Sequence, residues 1–475
     1  MPLTLKCTVA YTIASLLSTG LSFLTTPLFT RMISTEEMGV VTTYNSWVGI
    51  LGTIVTLSLN SGVFSIAMME FSDRRDEYQA SSLALSCLSC LVFGGIFAIA
   101  SDVWSELLGL SPDLIWLMFI YFFLTPAYSF WYSRQRYEYR YKPVLIVSCS
   151  LAVASTIASV LFVVYGKNNN YAELGKARII GKEIPLLLVS LICFFVILKK
   201  NHYRITAKYW KFALKIGSPL IAHALAKHLL DSSDRIMIDK FCGKSEVGIY
   251  GVLYSISAVS AIVWTALNGS LVPLTFEKLK ANEHKSLKEI FIPLLGVYGL
   301  ICAVLMLFAP EIVKILATEE YYKAIYIMPP IAAGIFFTSL YTIFGNILMY
   351  YKKTNYIMIS TIAAGIINIL LNMIFIPKYG SVAASYTTLV AYCFMCVFQY
   401  LCLAKIKKPR VFNVKVLIAI IGIACAWCAV CSILYSNNII RYAALCVILA
   451  LAIVFRKKIV NAVKPYLFGE FRNKQ

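Results

Sequence analysis

The chain has 475 residues, of which 60% are hydrophobic and 14% charged, with a formal net charge of +20. A mean hydropathy of +0.76 leaves too little polar surface for a soluble globule of this length, which excludes that class. The cations are dealt out along the chain between apolar runs instead of forming one basic patch, so nucleic acid is excluded as the partner they serve.

Fourteen apolar runs of about 20 residues follow one another, each near the length that crosses a hydrocarbon core of about 30 Å as a helix. They cover 7–30, 40–66, 81–101, 114–132, 143–165, 179–198, 212–233, 247–273, 290–309, 324–350, 355–376, 380–403, 413–435 and 438–455. The runs are continuously apolar, whereas barrel strands alternate, so the expected fold is an all-α integral membrane bundle of about 14 transmembrane helices. The start, "MPLTLKCTVAYTIASLLSTG", reads as the first of these spans and not as a removed signal.

With the N-terminus in the cytoplasm, the inner connections carry the larger share of Lys and Arg, which predicts a multi-pass inner-membrane protein with both termini cytoplasmic. The first span holds Pro27, expected to bend it, and closes on Arg31. The fourth ends at Arg134 and Arg136. Basic runs such as "RQRYEYRYK" (134–142) and "KKNHYRITAKYWK" (199–211) read first as anchors beside anionic lipid heads and second as lipid-headgroup or partner sites. The longest connections, about 165–180 and 199–211, leave no room for a soluble catalytic head.

The seventh span differs from the rest. "AHALAKHLLDSSDRIMID" (222–239) places His223, Lys227, Asp231 and Arg235 four residues apart along one slowly drifting face, with His228 off it. Ionisable groups in hydrocarbon must pair, snorkel or face a wet cavity. Lys227 lies about 16 Å into the helix, beyond easy snorkelling. Two readings stand: a ladder of i,i+4 pairs that neutralise one another, or a cavity wall whose cations offset an anionic cargo. Asp231 and His223 add a third element, coupling to H⁺ or Na⁺.

An internal echo sets 36–63 against 245–272: Glu37 and Gly39 fall on Glu246 and Gly248, and Asn60 falls near Asn268. If it is a repeat, spans 1–6 and 7–12 share one orientation about an axis along the membrane normal. The expected organisation is then an N-terminal lobe at 1–198, a cytoplasmic linker at 199–211, a C-terminal lobe at 212–403, and two appended helices with a tail at 404–475. Asn368 and Asn372, one turn apart, are expected to bond to a neighbouring helix. Most of the 14 cysteines lie in apolar runs as small hydrophobes, and "CLSC" (87–90) and "CAWC" (425–428) read as structural, so no metal is expected. With no GxxxxGK[ST], direct ATP drive is not expected, nor is any cofactor.

The stretch 231–279 carries Asp234, Arg235, Met237 and Ile238, then Gly243, then Val247, Gly248, Ile249 and Tyr250; the stretch 367–392 carries Asn368, Asn372, Ile376, Pro377, Tyr379 and Gly380. With "EEYYKAIYIMPPIAAGIFFTSL" (319–340), these stretches make the chain resemble the polysaccharide-export flippases of the multidrug/oligosaccharidyl-lipid/polysaccharide superfamily. The resemblance implies two lobes around a cavity open alternately to either side, and a polyprenyl-diphosphate-linked oligosaccharide as cargo, moved to the outer leaflet for O-antigen, capsule or other surface glycans. It implies a transporter, not an enzyme, working among membrane lipids and beside glycan polymerase machinery. On this expectation Lys227, Arg235, Arg31 and Arg134 bind substrate, and Asp231 and His223 serve ion coupling. The alternatives are a drug or cation antiporter of the same fold, or a membrane glycan polymerase or ligase.

Overall fold

Where no water reaches, each backbone amide and carbonyl must be paired within its own segment, and the apolar runs do so as helices. The computed structural model describes residues 3–60, 62–202, 204–406 and 413–454; the expected C-terminal tail beyond 454 lies outside them. The chain divides into two compact units, Met1–Gly251 and Val252–Gln475.

The first unit holds α1 (Leu3–Met32), α2 (Thr35–Val55), α3 (Gly62–Glu70), α4 (Arg75–Ile99), the short α5 (Ser101–Leu108), α6 (Pro112–Tyr137), α7 (Tyr141–Asn168), α8 (Leu174–Lys200), α9 (Lys208–Cys242) and most of α10 (Lys244–Ser257). The second holds α11 (Val259–Lys280), α12 (His284–Leu316), the one-turn α13 (Glu319–Tyr322), α14 (Met328–Tyr350), α15 (Thr354–Lys405), α16 (Val414–Leu434) and α17 (Asn438–Val454). Among the described residues, each of the fourteen apolar runs is largely helical. The second run breaks between α2 and α3, where Leu57 and Ser58 take positive φ, and the eighth breaks between α10 and α11. The eleventh and twelfth are the two halves of α15, which turns at Gly380 (φ 66°, ψ −154°), a conformation open to glycine and next to no other residue. Among the described residues, eleven helices are long and apolar enough to cross a membrane, counting α15 once. The charge-rich α9 is not among them.

The compact units and the expected lobes divide the chain at different places, and the difference is α9 with the start of α10. α9 is tied to the first unit by Tyr209, whose hydroxyl donates to Glu77 at 2.8 Å, by the Trp210 indole on the Ser81 carbonyl at 2.8 Å, and by Gly217, which faces Leu59 and Val63. An aromatic cluster of Phe64, Phe71, Tyr78, Phe130, Tyr209 and Phe212 fills the junction. Leu91, Val92, Ile96 and Ile99 of α4 are exposed, as suits a helix face turned to lipid.

α2 and α10 approach backbone to backbone. A methyl group at Gly39 would stand inside the Lys244 carbonyl, and one at Gly248 inside the Thr35 carbonyl. Thr35 and Ser245 join hydroxyls at 2.8 Å beside this crossing. Gly39 and Gly248, which the sequence echo sets side by side, thus meet in space, each facing the first residue of the other's helix. Glycine on both helices is what allows so close an approach.

In the second unit, Asn372 donates to Asn368 at 3.0 Å, Asn368 donates to Thr388 at 3.4 Å, and Thr387 donates to Asn372. The asparagines therefore tie the two halves of α15 together, as the expected interhelical bond. Asn346 donates to Asn268 at 2.8 Å between α14 and α11. Arg441 of α17, 1% exposed, pairs with Glu311 of α12 and donates to Asn438 at 3.0 Å. Removing one member of so buried a pair typically costs about 3–5 kcal/mol, because the other is left uncompensated. Arg441→Ala is expected to detach the C-terminal helices, seen as a fall in the detergent melting temperature and new protease cleavage between α16 and α17; an unchanged melt would contradict this.

Candidate functional site

Two apolar helices carry stripes of small hydroxyl residues at helical spacing. On α1 these are Ser15, Ser18, Thr19 and Ser22; on α7 they are Ser148, Ser155, Thr156 and Ser159. Both stripes face one cavity of about 740 Å³, closed by α2, α6 and α8 within the first unit. Several hydroxyls donate to their own helix, Thr19 to the Ser15 carbonyl at 3.0 Å and Thr156 to the Ala152 carbonyl at 2.7 Å. Their oxygens keep lone pairs for a ligand. A cavity of this size has room for a ligand of several rings, and its hydroxyls can offer that ligand weak, adaptable hydrogen bonds.

Charge stands at two levels of this cavity. Near the C-terminus of α6, the Arg136 guanidinium lies 5.0 Å from the Tyr11 ring centroid and 5.6 Å from that of Tyr132. Two rings orient the fork without occupying all of its donors, which suits an arginine that meets a phosphate. Further along, Lys182 of α8 donates to Asn45 at 3.1 Å, and the Arg178 guanidinium stands 4.0 Å over the Phe29 ring. Glu183, 6% exposed, accepts the Tyr44 hydroxyl at 2.8 Å. A second cavity of about 310 Å³ shares Asn60 and Ser129 with the first and is lined by His228, which packs against Gly49.

None of Lys227, Arg235, Arg31 or Arg134 lines the larger cavity. Lys227 and Asp231 form an ion pair one turn apart, 39% and 34% exposed, and Arg235 donates to the Asp231 carbonyl at 2.6 Å. The neighbouring Asp234 is buried, accepting the Tyr250 hydroxyl at 2.6 Å. His223 keeps its Nδ1 buried and without a partner, while Arg31 is exposed at the end of α1. Arg134 is held by Asp76, by Gln79 at 2.8 Å and by Glu138 at 2.9 Å. Residues two apart on a helix point nearly opposite ways, so Arg136 faces the cavity where Arg134 cannot. The sequence alone did not single out the hydroxyl stripes or Glu183, and it set His228 aside as off the charged face; the stripes were visible as Ser and Thr recurring every three or four residues in spans otherwise apolar.

The helical bundle has the fold of membrane transporters that move lipid-linked or small-molecule cargo. It superposes on a structure titled lipid II flippase MurJ, inward closed conformation, with a TM-score of 0.66 and 18% identity, over 95% of this chain and 100% of that one. It also superposes on the inward-facing conformation of a multidrug resistance MATE family transporter of the MOP superfamily, with a TM-score of 0.58 and 13% identity, over 84% and 96%. At these identities the likeness concerns the fold alone. The model of the polysaccharide biosynthesis protein family matches residues 4–279, and that of MatE matches 219–374. The first match spans more than half of the chain, which belongs to the polysaccharide biosynthesis protein family. A protein encoded at the Lsg locus of Haemophilus influenzae is 22% identical over 288 residues, 58% of this chain and 67% of that one. An uncharacterised membrane protein of Methanocaldococcus jannaschii is 22% identical over 251 residues, 50% and 49%.

Proposed function

We propose that this protein is a flippase that carries a polyprenyl-diphosphate-linked oligosaccharide from the cytoplasmic to the outer leaflet by alternating access, for surface polysaccharide synthesis. The observation that carries this reading is the hydroxyl-walled cavity with Arg136 at one end, inside a membrane bundle of a polysaccharide biosynthesis family. Sugars need many neutral hydrogen-bonding groups, and the diphosphate needs a cation at the level where it enters. With both termini cytoplasmic, Arg136 lies at the inner end of α6 and receives the diphosphate, while the glycan lies along α1 and α7. The crossing of α2 and α10 then sits at the outer end, where it closes the path when the inner side is open. Lys227 and Arg235, beside the same crossing helices, take the diphosphate as it moves outward, and Arg31 stands at the outer mouth. O-antigen or capsule precursors in the inner membrane, handed on to glycan polymerase machinery, are the setting this reading implies.

The test is flipping of a polyprenyl-diphosphate oligosaccharide in proteoliposomes. Arg136→Ala is expected to lower the rate roughly tenfold, since a hydrogen bond to a charged group contributes about 1.5–3 kcal/mol and a wet cavity lies at the low end. Arg134→Ala is expected to lower protein yield more than it lowers the rate per folded molecule. Wild type that exchanges cationic drugs but flips no lipid-linked glycan would replace this reading with the antiporter one.

A further inference from the structure

Among the described residues, Glu183 is the one buried carboxylate on the wall of the hydroxyl-lined cavity. It follows Leu174, the start of the 27-residue α8, by nine residues, or about 14 Å of a helix about 40 Å long, and so lies within a hydrocarbon core of about 30 Å even if the helix overhangs at that end. Only Oε1 has a donor, the Tyr44 hydroxyl; Oε2 is buried with no hydrogen-bond partner. A buried polar oxygen left without a donor is costly, and ionisable groups kept at such depth commonly mark ion pathways.

The groups around it limit which ion can bind. From its own helix come Lys182 and Arg178; from α2, Tyr44 with Asn45 behind it; from α6, Tyr121. α7 turns Thr156 and Ser159 to the same cavity, and α4 adds Cys90 to the apolar cluster behind Tyr44. A metal cation needs a shell of several oxygens and would stand beside two fixed cations. A proton needs one lone pair.

We propose that Glu183 is a proton-binding site that couples transport to a pH gradient: a proton from the outer side binds Oε2, the neutral side chain accompanies the return of the empty cavity, and the same proton leaves from Oε2 to the cytoplasm. Coupling then lies in the first unit on α8, and not at Asp231, which is engaged by Lys227, or at His223. This rests on the transporter reading, so two measurements separate its failure from that of the reading.

The first is infrared titration of the purified full-length protein, which follows the C=O stretch of a protonated carboxyl with no substrate present. The wild-type spectrum minus that of Glu183→Gln should show a carboxyl band that disappears on raising the pH. An unchanged band in the variant overturns the proposal whatever the cargo. The second is flipping in proteoliposomes with and without an inward pH gradient. One pH unit is worth up to about tenfold per proton. Wild type should be stimulated toward that limit; in Glu183→Gln the ratio of the rates with and without the gradient should fall to about one, whatever its rate without a gradient. Full stimulation in Glu183→Gln, with loss of stimulation in Asp231→Asn, would return coupling to α9.

Discussion

Gly248→Leu is expected to reduce flipping by up to about a hundredfold while the protein still inserts and melts normally. A Cβ at this position meets the Thr35 carbonyl, which is backbone and cannot rotate away. Overpacking of this kind costs about 1–3 kcal/mol, and here the cost falls only on the arrangement in which α2 and α10 touch. A state-selective penalty of about 3 kcal/mol displaces a two-state equilibrium by roughly two orders of magnitude. Gly39→Leu should act alike because the contact is reciprocal, and the double variant should be little worse than either single one, since both remove the same approach. Thr35→Cys with Ser245→Cys supplies the converse. The native hydroxyls are 2.8 Å apart, so an oxidised pair, identified by mass spectrometry among the 14 native cysteines, should hold the crossing shut and stop transport until reduced. A glycine variant that flips normally, or a cross-linked protein that still transports, would show that the crossing does not open.

The fold was legible because a membrane leaves the backbone few choices. Run length and continuous apolarity mark each span, and the one long merged helix, α15, was already divided in the sequence by Pro377 and Gly380. The echo between Glu37–Gly39 and Glu246–Gly248 looked slight as letters, yet the two glycines it sets side by side are the ones at which α2 and α10 approach. Small residues recur there because the backbones come together, and that is a packing constraint a sequence does carry.

The site was legible only in part. Charge draws attention in an apolar chain, so α9 stood out, while serines and threonines scattered through α1 and α7 passed as ordinary membrane residues that bond to their own helix. Arg134 and Arg136 sit two letters apart, and only the rotation of α6 decides that one meets Asp76 and Glu138 and the other meets the cavity. Glu183 lay near the start of a predicted span, at 179–198, where a carboxylate reads as interfacial. The helix in fact begins at Leu174, so Glu183 lies in its third turn, where its side chain meets Tyr44 of α2 and not the helix end.

Lys227→Ala is expected to lower flipping by roughly tenfold or more, and the double variant Lys227→Ala/Asp231→Ala decides why. The two side chains pair with each other, so either single change leaves a charge uncompensated. In a dry interior that costs about 3–5 kcal/mol; with both groups more than a third exposed, screening brings the stability cost nearer to about 1 kcal/mol. If the pair is there only to neutralise itself, removing both members restores transport as well as stability, because no unmatched charge remains. If Lys227 exchanges Asp231 for the diphosphate as cargo passes, the double variant regains its melting temperature but not its flipping, and Lys227→Arg keeps most of both. The second outcome is the expected one. An i,i+4 partner holds a cation in place without burying it, and an incoming anion of about two negative charges competes for it on favourable terms. Recovery of flipping in the double variant would assign the charged face of α9 to structure alone and leave Arg136 and the hydroxyl stripes as the substrate path.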